Sequence, residues 1–195
     1  PPQPKLRFDM GLILASGSPQ RRRLLRKAGL RFVVLASGVS ERSAEKDPRR
    51  LVLLLACRKA LAVAKNHKSH VVLGADTLVV CRGQIIGKPK SLKDAENILR
   101  LLNGTWQKVY TGVAVAADGG KKLLAKAVLS RVKTRRLSDE HLRRLAGKHM
   151  DKAGAYAVQD DNDPFVEKII GPLDNVIGLP MDAVKPLLTR IMRPS

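Results

Sequence analysis

Apolar positions cluster in short β-branched runs separated by stretches of helical spacing, and polar loops divide them. Leu12-Ile13-Leu14-Ala15 predicts a first strand, and Ser16-Gly17-Ser18 a loop. Ser18 suits an N-cap and Pro19 the first helical position, where a missing N–H costs nothing. Leu24, Leu25 and Ala28 give that helix its apolar face, and Gly29 suits its stop. Phe32 to Leu35 reads as a second strand, leading into the polar loop Ser37 to Glu41. Asp47 and Pro48 start a helix expected to run to about Asn66, mostly apolar from Leu51 to Val63. Lys59 in its middle is either a snorkelling surface lysine or a cation aimed at a cleft.

The central stretch is Val71 to Val80, a buried-strand pattern interrupted by Asp76 and Thr77. An ionised carboxylate there is expensive unless a cation, metal or donor satisfies it. Asp76 either caps a turn after Gly74-Ala75 or is a metal-binding or proton-accepting group at a strand end. Gly83 to Pro89 reads as a hairpin return ending in Lys88 before a rigid X-Pro step. Ser91 caps a helix through Leu102, closed by Asn103-Gly104. Trp106 to Ala117 and Lys122 to Val132 form the clearest hairpin, turned at Asp118-Gly119-Gly120. Its basic end carries Arg131, Lys133, Arg135 and Arg136, and Ser138 caps a helix to about Ala146. Asp151 to Gln159 is a loop entering a short strand, Phe165 to Ile170 another strand, Asn175 to Pro180 a loop, and Met181 to Met192 a last amphipathic helix. Strands and helices intermix without strict βαβ repetition, so the fold class is α/β or α+β on a mixed sheet.

Charge adds a partner hint. The chain of 195 residues carries a net charge of +20, a surface that attracts polyanions such as nucleotides and nucleic acid. Aromatics are 3% of residues, which weakens any single-strand binding module built on stacked bases. Cys57 and Cys81 form neither a CxxC pair nor a disulfide framework, as expected in a reducing cytoplasm. No apolar run reaches the roughly 18 residues of a membrane span, and the polar Pro1 to Asp9 has no signal-peptide pattern. Residues 1–10 are expected to be a flexible extension, with Met10 a candidate start, before a domain over 11–195. His67, His70, His141 and His149 lack zinc-ligand spacing.

The loop after the first strand, with small residues, free N–H groups and Gln20-Arg21-Arg22-Arg23 opening the helix, has the makings of a phosphate site, although no Walker pattern is present. An ordinary capped helix with a solvated basic face is the plainer alternative. Taken with GADTLVV at Gly74 to Val80, GKP at Gly87 to Pro89, NGTWQKVYTGVAV at Asn103 to Val115, DKAGAYAVQ at Asp151 to Gln159, and FVEKIIG with NVIGLP between Phe165 and Pro180, the segment LILASGSPQRR at Leu12 to Arg22 resembles the Maf family of nucleoside triphosphate pyrophosphatases. The segments are in family order and cover about Leu12 to Pro180.

The resemblance implies a fold similar to Maf and inosine-triphosphatase proteins: two lobes on a long curved mixed sheet with a central cleft. It implies a divalent metal, Mg²⁺ or Mn²⁺, and hydrolysis of a triphosphate to monophosphate and pyrophosphate. The family's catalytic aspartate falls on Asp76, which with Glu41 is also the expected metal pair. Substrate positions fall on Ser16, Gln20, Arg21, Lys59, Lys88 and Gln159, with Thr77 and Gln159 at base-discriminating places in the branch acting on dTTP and UTP. The implied partner is a nucleoside triphosphate, with no membrane and no sequence-specific nucleic acid; the family is often dimeric. The competing class is a non-catalytic regulator of division that binds nucleotides or nucleic acid on the same fold. Several positions depart from the family: Gln20 where an arginine is usual, Ser40 where an acid often precedes Glu41, Arg58 where a glutamate often precedes the lysine, and Ala157 and Asp160 in place of glycines flanking Val158-Gln159. The Ser40 and Arg58 replacements predict a less acidic site.

Overall fold

In a computed structural model the described residues are 11–150, 153–156 and 165–192. They form one seven-stranded mixed sheet with helices. The strands are β1 (Leu12–Leu14), β2 (Val33–Val34), β3 (Val71–Cys81), β4 (Gln84–Ile86), β5 (Trp106–Ala117), β6 (Lys122–Thr134) and β7 (Val166–Ile170). The helices are α1 (Pro19–Lys27), α2 (Pro48–Ala64), α3 (Leu92–Leu102), α4 (Asp139–Leu145), α5 (Leu173–Ile177) and α6 (Met181–Ile191). Sheet order is β2-β1-β3-β5-β6-β7, with β4 pairing β3. The β1 strand runs parallel to both β2 and β3, with Leu12 opposite Val71 and Leu14 opposite Leu73. The β3–β4 and β6–β7 pairs are antiparallel.

The chain divides into two compact units. One comprises the segment ending at Asp76, Thr111–Val128 and the segment starting at Gly178; the other comprises Thr77–Tyr110 and Leu129–Ile177. In the first, Ile13, Val72, Ala114 and Ala116 of the strands pack on Ala56, Ala60, Val63 and Ala64 of α2. The small helical residues allow a close approach, and glycines in the strands allow a closer one. A Cβ on Gly74 of β3 would lie 2.4 Å from the Ala56 carbonyl oxygen and 2.7 Å from the Ala60 nitrogen. A Cβ on Gly112 of β5 would lie 2.3 Å from the Val52 carbonyl oxygen. Only bare backbone fits beneath α2 at these two points.

In the second unit, α3 and α4 cover one sheet face with Leu99, Leu102, Leu142 and Leu145, packing on Val109, Val132 and Phe165. Tyr156 meets Phe165 edge-on. The helices start where their caps predict. Asp47 accepts from the Arg50 amide at 2.8 Å and Ser91 from the Asp94 amide at 3.1 Å.

Four expectations need correction. The turn reading of Asp76 fails, because β3 runs unbroken from Val71 to Cys81. The second strand is only two residues long and exposed, an edge strand rather than core. The α2 helix stops at Ala64, before Asn66. The stretch from Asn175 is not wholly loop, since α5 covers Leu173–Ile177. Such a short helix has too few residues for an apolar period, and tertiary bonds anchor it. Asn175 Nδ2 donates to the Val109 carbonyl at 3.1 Å and to Ser130 Oγ at 3.0 Å.

Candidate active site

The β1–α1 connection begins with Ala15, whose amide still bonds the Leu73 carbonyl, so the loop leaves the sheet beside β3. Ser16 is buried there. Its Oγ accepts from the Ser18 amide at 3.3 Å and from Arg21 Nη1 at 3.0 Å. Arg21 is on the first turn of α1, and its Nε donates to the Gly178 carbonyl at 2.9 Å. The guanidinium is therefore fixed at two points in a half-buried setting. Burial pulls its pKa down, and the negative charges of Asp76 and Glu41 oppose that pull. Arg22 Nη2 donates to the Gly17 carbonyl, a second brace on the loop. Gln20 is half-buried, and its Oε1 accepts from Ser18 Oγ at 2.9 Å.

The close contact at Gly74 brings Lys59 of α2 beside Asp76, two residues farther along the same face of β3. Lys59 is 8% exposed and Asp76 6%. Lys59 Nζ lies 2.6 Å from Asp76 Oδ1 and 2.6 Å from Glu41 Oε1. The snorkelling reading of Lys59 is thereby excluded: its ammonium is buried between two carboxylates. Burial pushes the Asp76 carboxyl above its ordinary range. The charge of Lys59, its hydrogen bond, and the charge of Arg21 pull the other way, while Glu41 adds to the push.

Glu41 reaches the cluster from an exposed loop, and Arg58 supports that loop. Its Nη1 donates to the carbonyls of Ser40 at 2.8 Å and Arg42 at 3.0 Å, on either side of Glu41. A guanidinium occupied in this way is a strut for the loop. Its charge is aimed at the Ser40 and Arg42 carbonyls. Arg58 and the Gly178 carbonyl are the two participants that residue types alone did not assign. Gly178 lies within the NVIGLP segment, a signal for the place but not for the partner.

The structure thus brings together Ser16, Arg21, Glu41, Lys59 and Asp76, with Gln20 on the adjoining helical turn. Thr77 and Lys88 belong to the other unit. Thr77 is half-buried, and strand alternation turns it to the face opposite Asp76. Lys88 is exposed in the loop after β4, beside a buried Pro89. Gln159, Ala157 and Asp160 lie outside the described residues.

For a metal, the chemistry of the donor set is favourable. Asp76 Oδ1 and Glu41 Oε1 converge on one cationic point, and both are hard oxygen donors. Among the described residues no group of three or more His, Cys, Asp or Glu could hold a metal. Two carboxylates match magnesium, which is commonly held by one or two carboxylates together with substrate phosphates.

A mixed-sheet α/β protein with a buried acid–base cluster beside a capped strand–loop–helix is the class that fold and site define. The sequence pattern of the Maf-like proteins matches residues 11–191. The chain belongs to that family. A protein of Elusimicrobium minutum named dTTP/UTP pyrophosphatase is 50% identical over 173 residues, 89% of this chain and 94% of its own. One of Dictyoglomus thermophilum with the same name is 41% identical over 184 residues, 92% of this chain and 95% of its own. A third, from a Geobacillus species, is 44% identical over 173 residues, covering 87% and 92%. A solved nucleoside-triphosphatase, a dITP/XTP pyrophosphatase of Mycobacterium abscessus, aligns over 95% of this chain and all of its own at 15% identity, with a TM-score of 0.45.

Proposed function

We propose that the protein is a nucleoside triphosphate pyrophosphatase that cleaves dTTP and UTP to the monophosphate and pyrophosphate. The observation that carries the reading is the buried Asp76 carboxylate held by Lys59, which also pairs with Glu41, next to the braced Ser16–Arg21 loop. Membership of the Maf-like family and the names of its relatives support the substrate class.

In this reading Asp76 takes the proton of the attacking water as the new P–O bond forms and the α–β anhydride bond breaks, with pyrophosphate leaving. A carboxyl above its ordinary range is a better base, because its pKa lies nearer the working pH. Lys59 keeps Asp76 ionised until the proton is taken. Arg21 and Ser16 face the triphosphate charge, Gln20 adds a neutral amide, and Lys88 adds a further cation. Thr77 and Gln159 discriminate the base, a task for which the glutamine amide has both a donor and an acceptor. Asp76 and Glu41 would hold a divalent Mg²⁺ or Mn²⁺ ion, which when bound withdraws charge from the attacked phosphorus. We assign the protein to the cytoplasm, with its cysteines free, and as a homodimer in keeping with its family. Among the described residues no helix is long and apolar enough to cross a membrane.

The test is pyrophosphate release over a panel of triphosphates with Mg²⁺ or Mn²⁺, using the native chain and Asp76→Asn. The native chain is expected to release pyrophosphate fastest from dTTP and UTP. Asp76→Asn, which keeps the shape, should cut turnover by at least about 10²-fold. Absence of release from every triphosphate by folded protein would sink the reading and favour a non-catalytic nucleotide binder.

A further inference from the structure

The outward sheet face of the second unit plays no part in the cluster described above. On β5 the exposed Trp106 and Lys108 alternate with the buried Gln107 and Val109. On β6 the exposed Arg131 and half-buried Lys133 alternate with the buried Ser130, Val132 and Thr134. The β6–β7 register sets Arg131 opposite Ile170 and Lys133 opposite Lys168, so β7 adds Lys168 and Ile170 to the same face. The core helices α3 and α4 pack on the other side. Trp106 is 38% exposed, and the Arg131 guanidinium carbon stands 4.7 Å from its ring centroid. Lys133 Nζ is tied to the Gly104 carbonyl, which fixes its position without removing its charge. Glu167 is the exposed acid on β7.

From this arrangement we infer that the face binds a single-stranded polynucleotide. The observations that select this occupant are charge and shape together. Four cations, Lys108, Arg131, Lys133 and Lys168, share the face with a tryptophan already stacked on a guanidinium. Bases stack on such a platform without regard to sequence, and lysines flanking it meet the phosphates. A rigid duplex keeps its bases stacked on one another and cannot present them to Trp106. A second copy is disfavoured, because a twofold contact would set these cations against their own equivalents, on a chain already at +20. This is a polymer site, distinct from the mononucleotide site proposed above.

Trp106 is the chain's one tryptophan, so its fluorescence reports this face directly. The probes are oligothymidylate and oligouridylate of about ten nucleotides, synthesised with a 5′-hydroxyl, added to the native protein at low salt. The expected result is quenching for both, weakening with salt at a slope of about −2 for three phosphates met. Lys108→Ser/Arg131→Ser should bind at least about tenfold more weakly. Trp106→Leu, followed by the anisotropy of a labelled oligonucleotide, should bind severalfold more weakly. Lys168→Ser should show a smaller loss, and all these variants should melt and hydrolyse triphosphate as the native chain does. The inference is overturned by absence of quenching and anisotropy change at about 100 μM oligonucleotide. Equal affinity for a duplex or for anionic vesicles also overturns it. So does displacement by a non-hydrolysable dTTP analogue, which would place the oligonucleotide in the catalytic site. Dimerisation that Arg131→Ser abolishes would assign the face to a second copy instead.

Discussion

Asp76 is buried, with Lys59 as its ion-pair partner. Its folded-state pKa is raised, chiefly by burial. The sign follows from linkage. Over the window between the unfolded and folded values the native state binds more protons, so the contribution of Asp76 to stability is complete below the unfolded pKa and is lost as pH rises through the folded one. The stability of the native chain relative to Asp76→Asn should therefore fall as pH rises above the ordinary carboxylate value of 3.8. Urea unfolding of both proteins, free of divalent metal, measures this, and a relative stability that rises with pH would contradict the burial argument. At Gln20, in the phosphate-facing role proposed for it, an arginine would replace a neutral contact by a charge-assisted one. The gain is roughly 1 kcal/mol. Gln20→Arg should lower KM for the preferred triphosphate severalfold, with kcat changed less, although the Ser18 hydroxyl loses an acceptor. Steady-state kinetics with dTTP and UTP decides; an unchanged or raised KM for both means that position 20 does not meet the phosphates.

At the scale of elements, α2 is the part that assembles the cluster. It presents Lys59 to Asp76 because Gly74 and Gly112 let its backbone sit against β3 and β5. Gly74→Ala would place a methyl group 2.4 Å from a main-chain oxygen, a clash that no side-chain rotation relieves. Overpacking of this kind commonly costs 1–3 kcal/mol, and here about 3 kcal/mol is expected, with pyrophosphatase activity falling as the helix shifts. Thermal melting and turnover check the two effects together; a native-like melting temperature would mean that α2 can move freely. The opposite case is Gln107 on β5, 1% exposed, with neither amide atom hydrogen-bonded among the described residues. A buried amide without a partner costs about 1–3 kcal/mol. Gln107→Met keeps the length and removes the polar atoms, so it should raise the unfolding free energy. A loss of stability would mean that ordered water serves the amide.

For the whole molecule, charge is the governing quantity. A protein at +20 attracts a triphosphate from a distance, and that attraction is screened over about 8–10 Å at moderate salt. Accordingly kcat/KM should fall as salt rises while kcat holds. A kcat that falls in parallel would mean that salt acts on the cluster itself and not on encounter.

The residues alone determined most helix starts and the central strand. Caps at Ser18, Asp47, Ser91 and Ser138 placed the helix starts, and the apolar run from Val71 to Val80 placed the central strand, because both are written in nearest-neighbour chemistry. The motifs also named Asp76, Glu41, Lys59, Ser16 and Arg21 as candidates. Which of them meet was decided by tertiary structure. Lys59 could have snorkelled, and only the approach of α2 over two glycines buried it between Asp76 and Glu41. Arg58 looked like a charge added to the site, until its guanidinium was found holding the carbonyls on either side of Glu41. The α5 helix and the buried Asn175 were illegible for the same reason: their partners, Val109 and Ser130, are far away along the chain. A sequence pattern reports what each residue prefers beside its neighbours, while burial and pairing across long separations exist only once the sheet has brought distant segments together.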